Sequence, residues 1–306
     1  MQVLRAISSL ALTSAVGLSL GLLFATTAGA ASPATKEVEV NGMTMTYVEK
    51  GSGEPVVFVH GAVSDLRAWE PIREAISAHH RFIAPTLRYF GTADWADQGE
   101  KFSEATHADD IAAFIKALDL GPVHIVGWSS GANLATLVAL QNPELVQSAV
   151  LFEPGIDSLM KEGEAGNAAR EAAGTMFGLA DGAVKAGDAE KATKLLIEGV
   201  FQMQPGGWDS QPEAARTMQL ENARTLPLMW NSSPTPVSCE ILQKSNTPVL
   251  IVYGGESNAY SPHIAEVMDD CLPQGETAVL PNVTHDGPVR DPAGLAVMIE
   301  GFVAKH

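Results

Sequence analysis

The chain has 306 residues, 46% of them apolar and 18% charged, a balance that permits a sizeable core and excludes gross disorder. Its formal net charge is −17, from 19 Lys+Arg against 36 Asp+Glu. Such a surface repels phosphate backbones, and no basic cluster marks a nucleic-acid-binding face. With no fixed-period repeat, one large domain or a core domain carrying an insertion is expected.

The first residues read as an address. Arg5 gives a short positive n-region, an apolar stretch follows, and Ala28-Gly29-Ala30 supplies the small residues of a cleavage site. A signal peptide over residues 1–30 is expected, leaving a secreted or periplasmic chain over 31–306. The alternative is an uncleaved anchor, since the apolar run over 7–25 is nearly long enough to span a bilayer. Serines and threonines within that run weaken the anchor. Cys239 and Cys271, the two cysteines, form a disulfide candidate because export favours oxidation; two unpaired thiols are the alternative.

Alternating runs on either side of Asn41-Gly42 predict a hairpin. The unbroken apolar run over 55–59 predicts a strand covered on both faces, and His60-Gly61-Ala62 follows it directly. A helix is expected around 69–78, a strand over 81–84 and a loop at Arg88-Tyr89-Phe90-Gly91. The next helix, over 106–118, carries Ile111, Phe114, Ile115 and Leu118 on one face. Strands over 123–126 and 148–152 enclose a helix over 132–141, and the second strand ends in Glu153-Pro154. From 155 to about 236 strand signals vanish and several helices are expected. A strand over 248–253, a helix over 262–271, a strand over 276–280 and a helix over 291–304 complete the chain. The alternation predicts an α/β fold, a doubly wound and mostly parallel sheet. The block at 155–236 reads as a helical cap inserted over the sheet's carboxyl edge, where such folds bind ligands.

Gly127-Trp128-Ser129-Ser130-Gly131 fits G-x-S-x-G between an apolar strand and a helix rich in small residues. A serine there projects its hydroxyl from a strained turn, and side chains at the two glycine positions would strike the neighbouring strand and helix. Ser129 is therefore the candidate nucleophile. The Ser130 N–H, at the helix N-terminus, faces a developing oxyanion, and the Ala62 N–H in the earlier loop supplies a second donor. His60 precedes the nucleophile at a strand end and reads as a structural hydrogen-bonder. Of the downstream histidines, His263 falls in a helix and His306 is terminal. His285, between the last strand and last helix, is the candidate base.

Other chemistries find little support. His79 and His80 are adjacent without a third ligand nearby, so no metal is expected. No P-loop or dinucleotide fingerprint appears, and no cofactor is expected. Met160, Met176, Met203, Met218, Met229 and Trp230 either line an apolar pocket or pack the cap itself.

With these motifs in place, the chain from about Asn41 onward resembles the α/β-hydrolase superfamily. The resemblance implies a catalytic triad, an oxyanion hole and a cap-lined pocket. One element departs from the common pattern, which has an aspartate three residues after the glycine ending the strand before the His segment. Here Gly254-Gly255-Glu256-Ser257 puts a serine there. Haloalkane dehalogenases and zearalenone-type lactonases instead take a glutamate from the end of the strand after the nucleophile helix, which here is Glu153. The lactonase group also resembles this chain in the Ser129-Ser130-Gly131-Ala132 run. Glu153 is thus the implied acid, with Glu256 as the alternative.

The expected activity is cleavage of a small-molecule carboxylic ester or lactone through an acyl-enzyme. A C–C hydrolase or cofactor-free perhydrolase with the same triad is one alternative. A ligand-binding member of the fold without turnover is the other.

Overall fold

In the computed structural model, which describes residues 34–306, the chain opens with a hairpin. The expected leader, residues 1–30, lies outside the described residues. Strands β1 (Lys36–Val40) and β2 (Met43–Lys50) are joined by Asn41 and Gly42, whose φ angles of 46° and 75° suit a two-residue type I′ turn. The remaining strands are β3 (Pro55–Val59), β4 (Arg81–Pro85), β5 (Val123–Trp128), β6 (Val146–Phe152), β7 (Val249–Gly254) and β8 (Gly275–Leu280). They form an eight-stranded sheet in the order β1-β2-β4-β3-β5-β6-β7-β8. β2 is antiparallel to β1 and β4, and the rest of the sheet is parallel.

The helices are α1 (Glu70–Ser77), α2 (Glu104–Ala117), α3 (Ser130–Gln141), α4 (Glu164–Lys185), α5 (Ala189–Val200), α6 (Glu213–Glu221), α7 (Leu226–Asn231), α8 (Cys239–Leu242), α9 (Tyr260–Cys271), α10 (Gly287–Arg290) and α11 (Pro292–Val303). The period of two along the strands decides which helices cover which face. Val57 and Val59 of β3 point into a core with Ile111 of α2, Leu134 of α3 and Ile264 of α9. Val56 and Phe58 point the other way, towards Ile72 of α1 and Ile299 of α11. This is the doubly wound α/β architecture, with both sheet faces buried.

Helix boundaries moved where a cap dictates them. α2 starts at Glu104, two residues before its apolar periodicity begins, because Ser103 caps it by accepting from Thr106 N at 3.0 Å. α8 and α10, of four residues each, are too short to leave a periodic signal.

The helices between β6 and β7 touch the loops that follow the strands' carboxyl ends. Asn222, just after α6, donates to Asp65 beyond β3 and accepts from Gly91 N beyond β4. Gln202, beyond α5, donates to the Glu256 carbonyl beyond β7, and Thr284 beyond β8 donates to the Phe201 carbonyl. Cores continue through this segment: Met176 and Met218 are buried in them, while Met160, Met203, Met229 and Trp230 pack against them. Among the described residues no helix is long and apolar enough to cross a membrane.

Cys239 and Cys271 are bonded, with Cα atoms 5.1 Å apart, tying α8 to the end of α9. The sequence separation of 32 gives a definite expectation. Loss of the bond, by reduction or in a Cys239→Ser/Cys271→Ser variant, should cost about 3–4 kcal/mol by the chain-entropy relation. Urea unfolding with and without reductant measures this, and an unchanged midpoint would contradict it.

Candidate active site

β5 runs straight into a sharp bend at Ser129, and α3 begins at the next residue. Ser129 has φ 58° and ψ −125°, a conformation that costs on the order of 1–3 kcal/mol for a residue with a side chain. Its backbone is held from both sides. The N–H donates to the Phe152 carbonyl at 2.9 Å, and the carbonyl accepts from Ala132 N and Asn133 N at 2.8 and 3.2 Å. The flanking glycines are required by space. A Cβ on Gly127 would lie 2.5 Å from Ala132 Cα, and one on Gly131 would strike the carbonyls of Val59 and His60.

The loop after β3 packs directly on this bend. A Cβ on Gly61 would sit 3.2 Å from Ser129 Cβ, so Ala62 follows at the edge of the elbow. Among the described residues neither the Ala62 nor the Ser130 N–H donates to a protein acceptor. Both sites of the expected oxyanion pair are thus uncommitted donors. Val63, buried and β-branched, has φ 47°, a strained conformation that fixes the turn of this loop.

His60 is fully buried, and both ring nitrogens are engaged within the scaffold. Nδ1–H donates to the Gly61 carbonyl at 2.9 Å, while Nε2 accepts from Leu87 N at 3.1 Å. Burial holds its pKa below the ordinary imidazole value. It is a strut, as its sequence position implied.

Five residues further on, Asp65 anchors the same loop. Its carboxylate accepts two bonds from the Arg67 guanidinium, at 2.8 and 2.7 Å, and one from Asn222 Nδ2 at 2.8 Å. Burial pushes the Asp65 pKa up, but the Arg67 pair and the Asn222 amide outweigh it and leave the pKa below the ordinary carboxylate value. Nothing in the local sequence marks Asn222 as the partner.

Glu153 lies at the end of β6, one residue beyond the carbonyl that holds Ser129 N. Its φ is 47°, and its N–H donates to the Val252 carbonyl of β7 at 2.8 Å, so the chain leaves the sheet abruptly here. The side chain is 4% exposed and receives four donors. Gly254 N and Ser257 Oγ donate to Oε1, at 2.8 and 2.5 Å. Ser261 Oγ and His285 Nδ1 donate to Oε2, at 2.8 and 2.7 Å. Burial alone would raise this carboxyl's pKa; the bonds and charge from His285, followed by Ser257 and Gly254, reverse that and hold it below the ordinary value.

His285 stands on the loop between β8 and α10. With Nδ1–H given to an acceptor-only carboxylate, Nε2 is the nitrogen free to accept a proton. The Trp128 indole N–H donates to the His285 carbonyl at 3.1 Å, so the elbow also holds the loop that bears the imidazole. Trp128 and Phe201 stack on each other, ring centroids 6.3 Å apart, and flank the imidazole at 6.0 and 6.4 Å. Among the described residues no hydrogen bond joins Ser129 Oγ to the ring, a contact that commonly tightens only when substrate arrives.

The structure therefore brings Glu153 and His285 together beside the elbow and leaves Glu256 out. Glu256 is exposed and, among the described residues, tied in only through its backbone, to the Val283 carbonyl and to Gln202. His263 lies buried in α9. No group of three or more His, Cys, Asp or Glu among the described residues is placed to hold a metal. No local signal in the sequence marks Ser257 and Ser261 as donors, although Ser257 stands where an aspartate is usual.

Comparison with known proteins agrees with this architecture. Residues 54–291 match the sequence profile of the α/β hydrolase fold. The 2-(acetamidomethylene)succinate hydrolase of Mesorhizobium japonicum is 28% identical over 258 residues, covering 82% of this chain and 88% of that one. Among solved structures, Est816, described as an N-acyl homoserine lactone degrading enzyme, superposes with a TM-score of 0.69 at 21% identity. That match covers 87% of this chain and 100% of the other. A thermophilic esterase from Thermogutta terrifontis gives a TM-score of 0.67 at 20% identity, covering 89% and 98%.

The Asp65–Asn222 contact is directly testable. Asn222→Leu keeps the bulk but leaves the Gly91 N–H without its acceptor and takes one of two donors from Asp65 Oδ2, which keeps Arg67. The loss should be about 1–3 kcal/mol, as for a buried donor left unsatisfied and one bond to a charged group removed. Urea unfolding reads it; a stability equal to wild type would show that the contact is not needed.

Proposed function

Since the chain belongs to the α/β hydrolase fold family, we propose that it hydrolyses a small-molecule carboxylic ester or lactone through an acyl-enzyme on Ser129. Ser129 Oγ attacks the carbonyl carbon while His285 Nε2 takes its proton. The Ala62 and Ser130 amides receive the developing oxyanion. Collapse of the tetrahedral intermediate expels the alkoxide, which leaves as the alcohol with the proton from His285. Water, deprotonated by the same nitrogen, then attacks the acyl-enzyme, and the acid departs. Throughout, Glu153 fixes the Nδ1–H tautomer and stabilises the imidazolium without itself taking the proton.

The observation that carries this reading is the 2.7 Å bond from His285 Nδ1 to a buried, fully solvated-by-protein carboxylate immediately behind the elbow. The esterase and lactone-degrading neighbours support the ester-or-lactone class. We assign the α4–α7 segment as the cap, since it meets the loops at the strands' carboxyl ends, where such folds bind ligands. We also read the mature chain as exported, which the Cys239–Cys271 bond supports. N-terminal sequencing of the native protein should find residue 31 first; a retained leader would count against it.

A fluorophosphonate probe should label the wild type and not Ser129→Ala. Absence of labelling in the wild type would favour a ligand-binding role without turnover. On a panel of esters and lactones, Glu153→Gln should lower kcat by about 10²–10⁴, as for an acid whose loss misorients its histidine. Glu256→Gln should leave kcat nearly unchanged. The reverse pattern would move the acid to Glu256.

A further inference from the structure

We propose that Ser257 is a positioning residue for this reaction, acting with Ser261 to lock the Glu153 carboxylate in the one orientation that serves His285. The proposal rests on the reading of Glu153 as the acid and goes beyond it.

A carboxylate offers acceptor directions to about four donors and, at the end of a glutamate, turns easily about its last torsion. Here the donors are divided two and two. Gly254 N and Ser257 Oγ hold Oε1, and Ser261 Oγ and His285 Nδ1 hold Oε2. Rotating the group about its terminal torsion would break four bonds at once. The two hydroxyls come from elements with fixed geometry. Ser257 closes a turn by donating its N–H to the Gly254 carbonyl at 3.0 Å, and Ser261 lies in the first turn of α9. That helix terminus also presents the positive end of its dipole to the carboxylate.

The residue type at 257 matters as much as its place. A hydroxyl 2.5 Å from Oε1 donates to the ionised group and adds no charge. A carboxylate at the same place would put two acids within hydrogen-bond distance, and they would have to share a proton near neutral pH. Among the described residues, the titratable side chains on the elements around Glu153 are Asp157 beyond β6, Tyr253 on β7 and Glu256 beyond it, Tyr260, His263, Glu266, Asp269 and Asp270 on α9, Glu276 on β8, and His285 and Asp286 beyond it. Only His285 bonds to the carboxylate; Tyr260 donates to Asp157, and Asp286 accepts from Thr284. Removal of the Ser257 hydroxyl therefore has one titrating partner through which to act.

The test compares Ser257→Ala, Ser257→Thr and Ser261→Ala on the full chain, each also in a Glu153→Gln background, using kcat, KM and the pH dependence of kcat/KM. Ser257→Ala should lower kcat about tenfold with little change in KM, the mark of an interaction felt in the transition state. Its acid limb should move up by about half to one pH unit, because a carboxylate short of a donor is the stronger base and holds the imidazolium proton more tightly. Ser257→Thr, which keeps the hydroxyl, should return both readings towards wild type. Ser261→Ala should act in the same sense. In the Glu153→Gln background Ser257→Ala should cost little more and leave the pH limb in place. Wild-type kcat and pH profile in Ser257→Ala, or equal losses in the Ala and Thr variants at native thermal stability, would overturn the proposal. Full activity in Glu153→Gln alone would instead bring down the acid assignment, a result read independently of residue 257.

Discussion

An ionised carboxylate kept almost out of water at the end of β6 is the constraint around which the site is arranged. Burying such a charge costs several kcal/mol unless protein groups replace its hydration. For Glu153 they come from three places: the end of β7 with the turn that follows it, the first turn of α9, and the loop beyond β8. Each of those segments is thereby obliged to converge on one point. The positive φ at Glu153 belongs to the same arrangement, since it turns the chain out of the sheet while its N–H remains in the β7 ladder.

Ser129, the proposed nucleophile, is fastened to that point through the backbone. Ser129 N bonds to the carbonyl of Phe152, the residue before Glu153, so a single strand end sets both the elbow and Glu153. Trp128 closes the figure by holding the His285 carbonyl. The strain at Ser129 and at Val63 is tolerable because packing on every side overdetermines those bends: Gly61 against the elbow, Gly131 against the end of β3, Asp65 against Arg67 and Asn222. These local costs are borne by a sheet whose two buried faces provide the bulk of the stability.

What could be read from the residues alone is what depends on neighbours in sequence. The Asn41-Gly42 hairpin, the short apolar strands and the glycine spacing about Ser129 are local signals, and each stands where its pattern put it. The start of α2 shifted because a capping serine, not the apolar face, sets it. The donors to Glu153 were beyond reach for a different reason. A serine in a loop carries no periodicity, and the bonds join residues 104 and 108 positions apart, so only the packing of α9 against the sheet reveals them. The Asp65–Asn222 contact spans 157 positions and is silent in the same way. Methionines in the α4–α7 segment gave an ambiguous signal because core packing and pocket lining ask for the same side chain; Met176 and Met218 turn out to be core.

The position of Glu153 has a consequence for how motion is transmitted. Phe201 and Gln202, in the segment between β6 and β7, bond to Thr284 on the loop bearing His285 and to the Glu256 backbone beyond β7. Any shift of that segment therefore reaches the His285 loop and the chain that follows β7. An acid carried beyond β7 would move with them. Glu153 is instead set by β6, which lies between β5 and β7 in the interior of the sheet and gives up its ladder bonds last. The end of β6 thus holds the Ser129 backbone and carries Glu153, while the imidazole sits on the loop that bonds to the helices above. The geometry couples the imidazole loop directly to the segment above, which reaches Glu153 indirectly, through the donors at the end of β7.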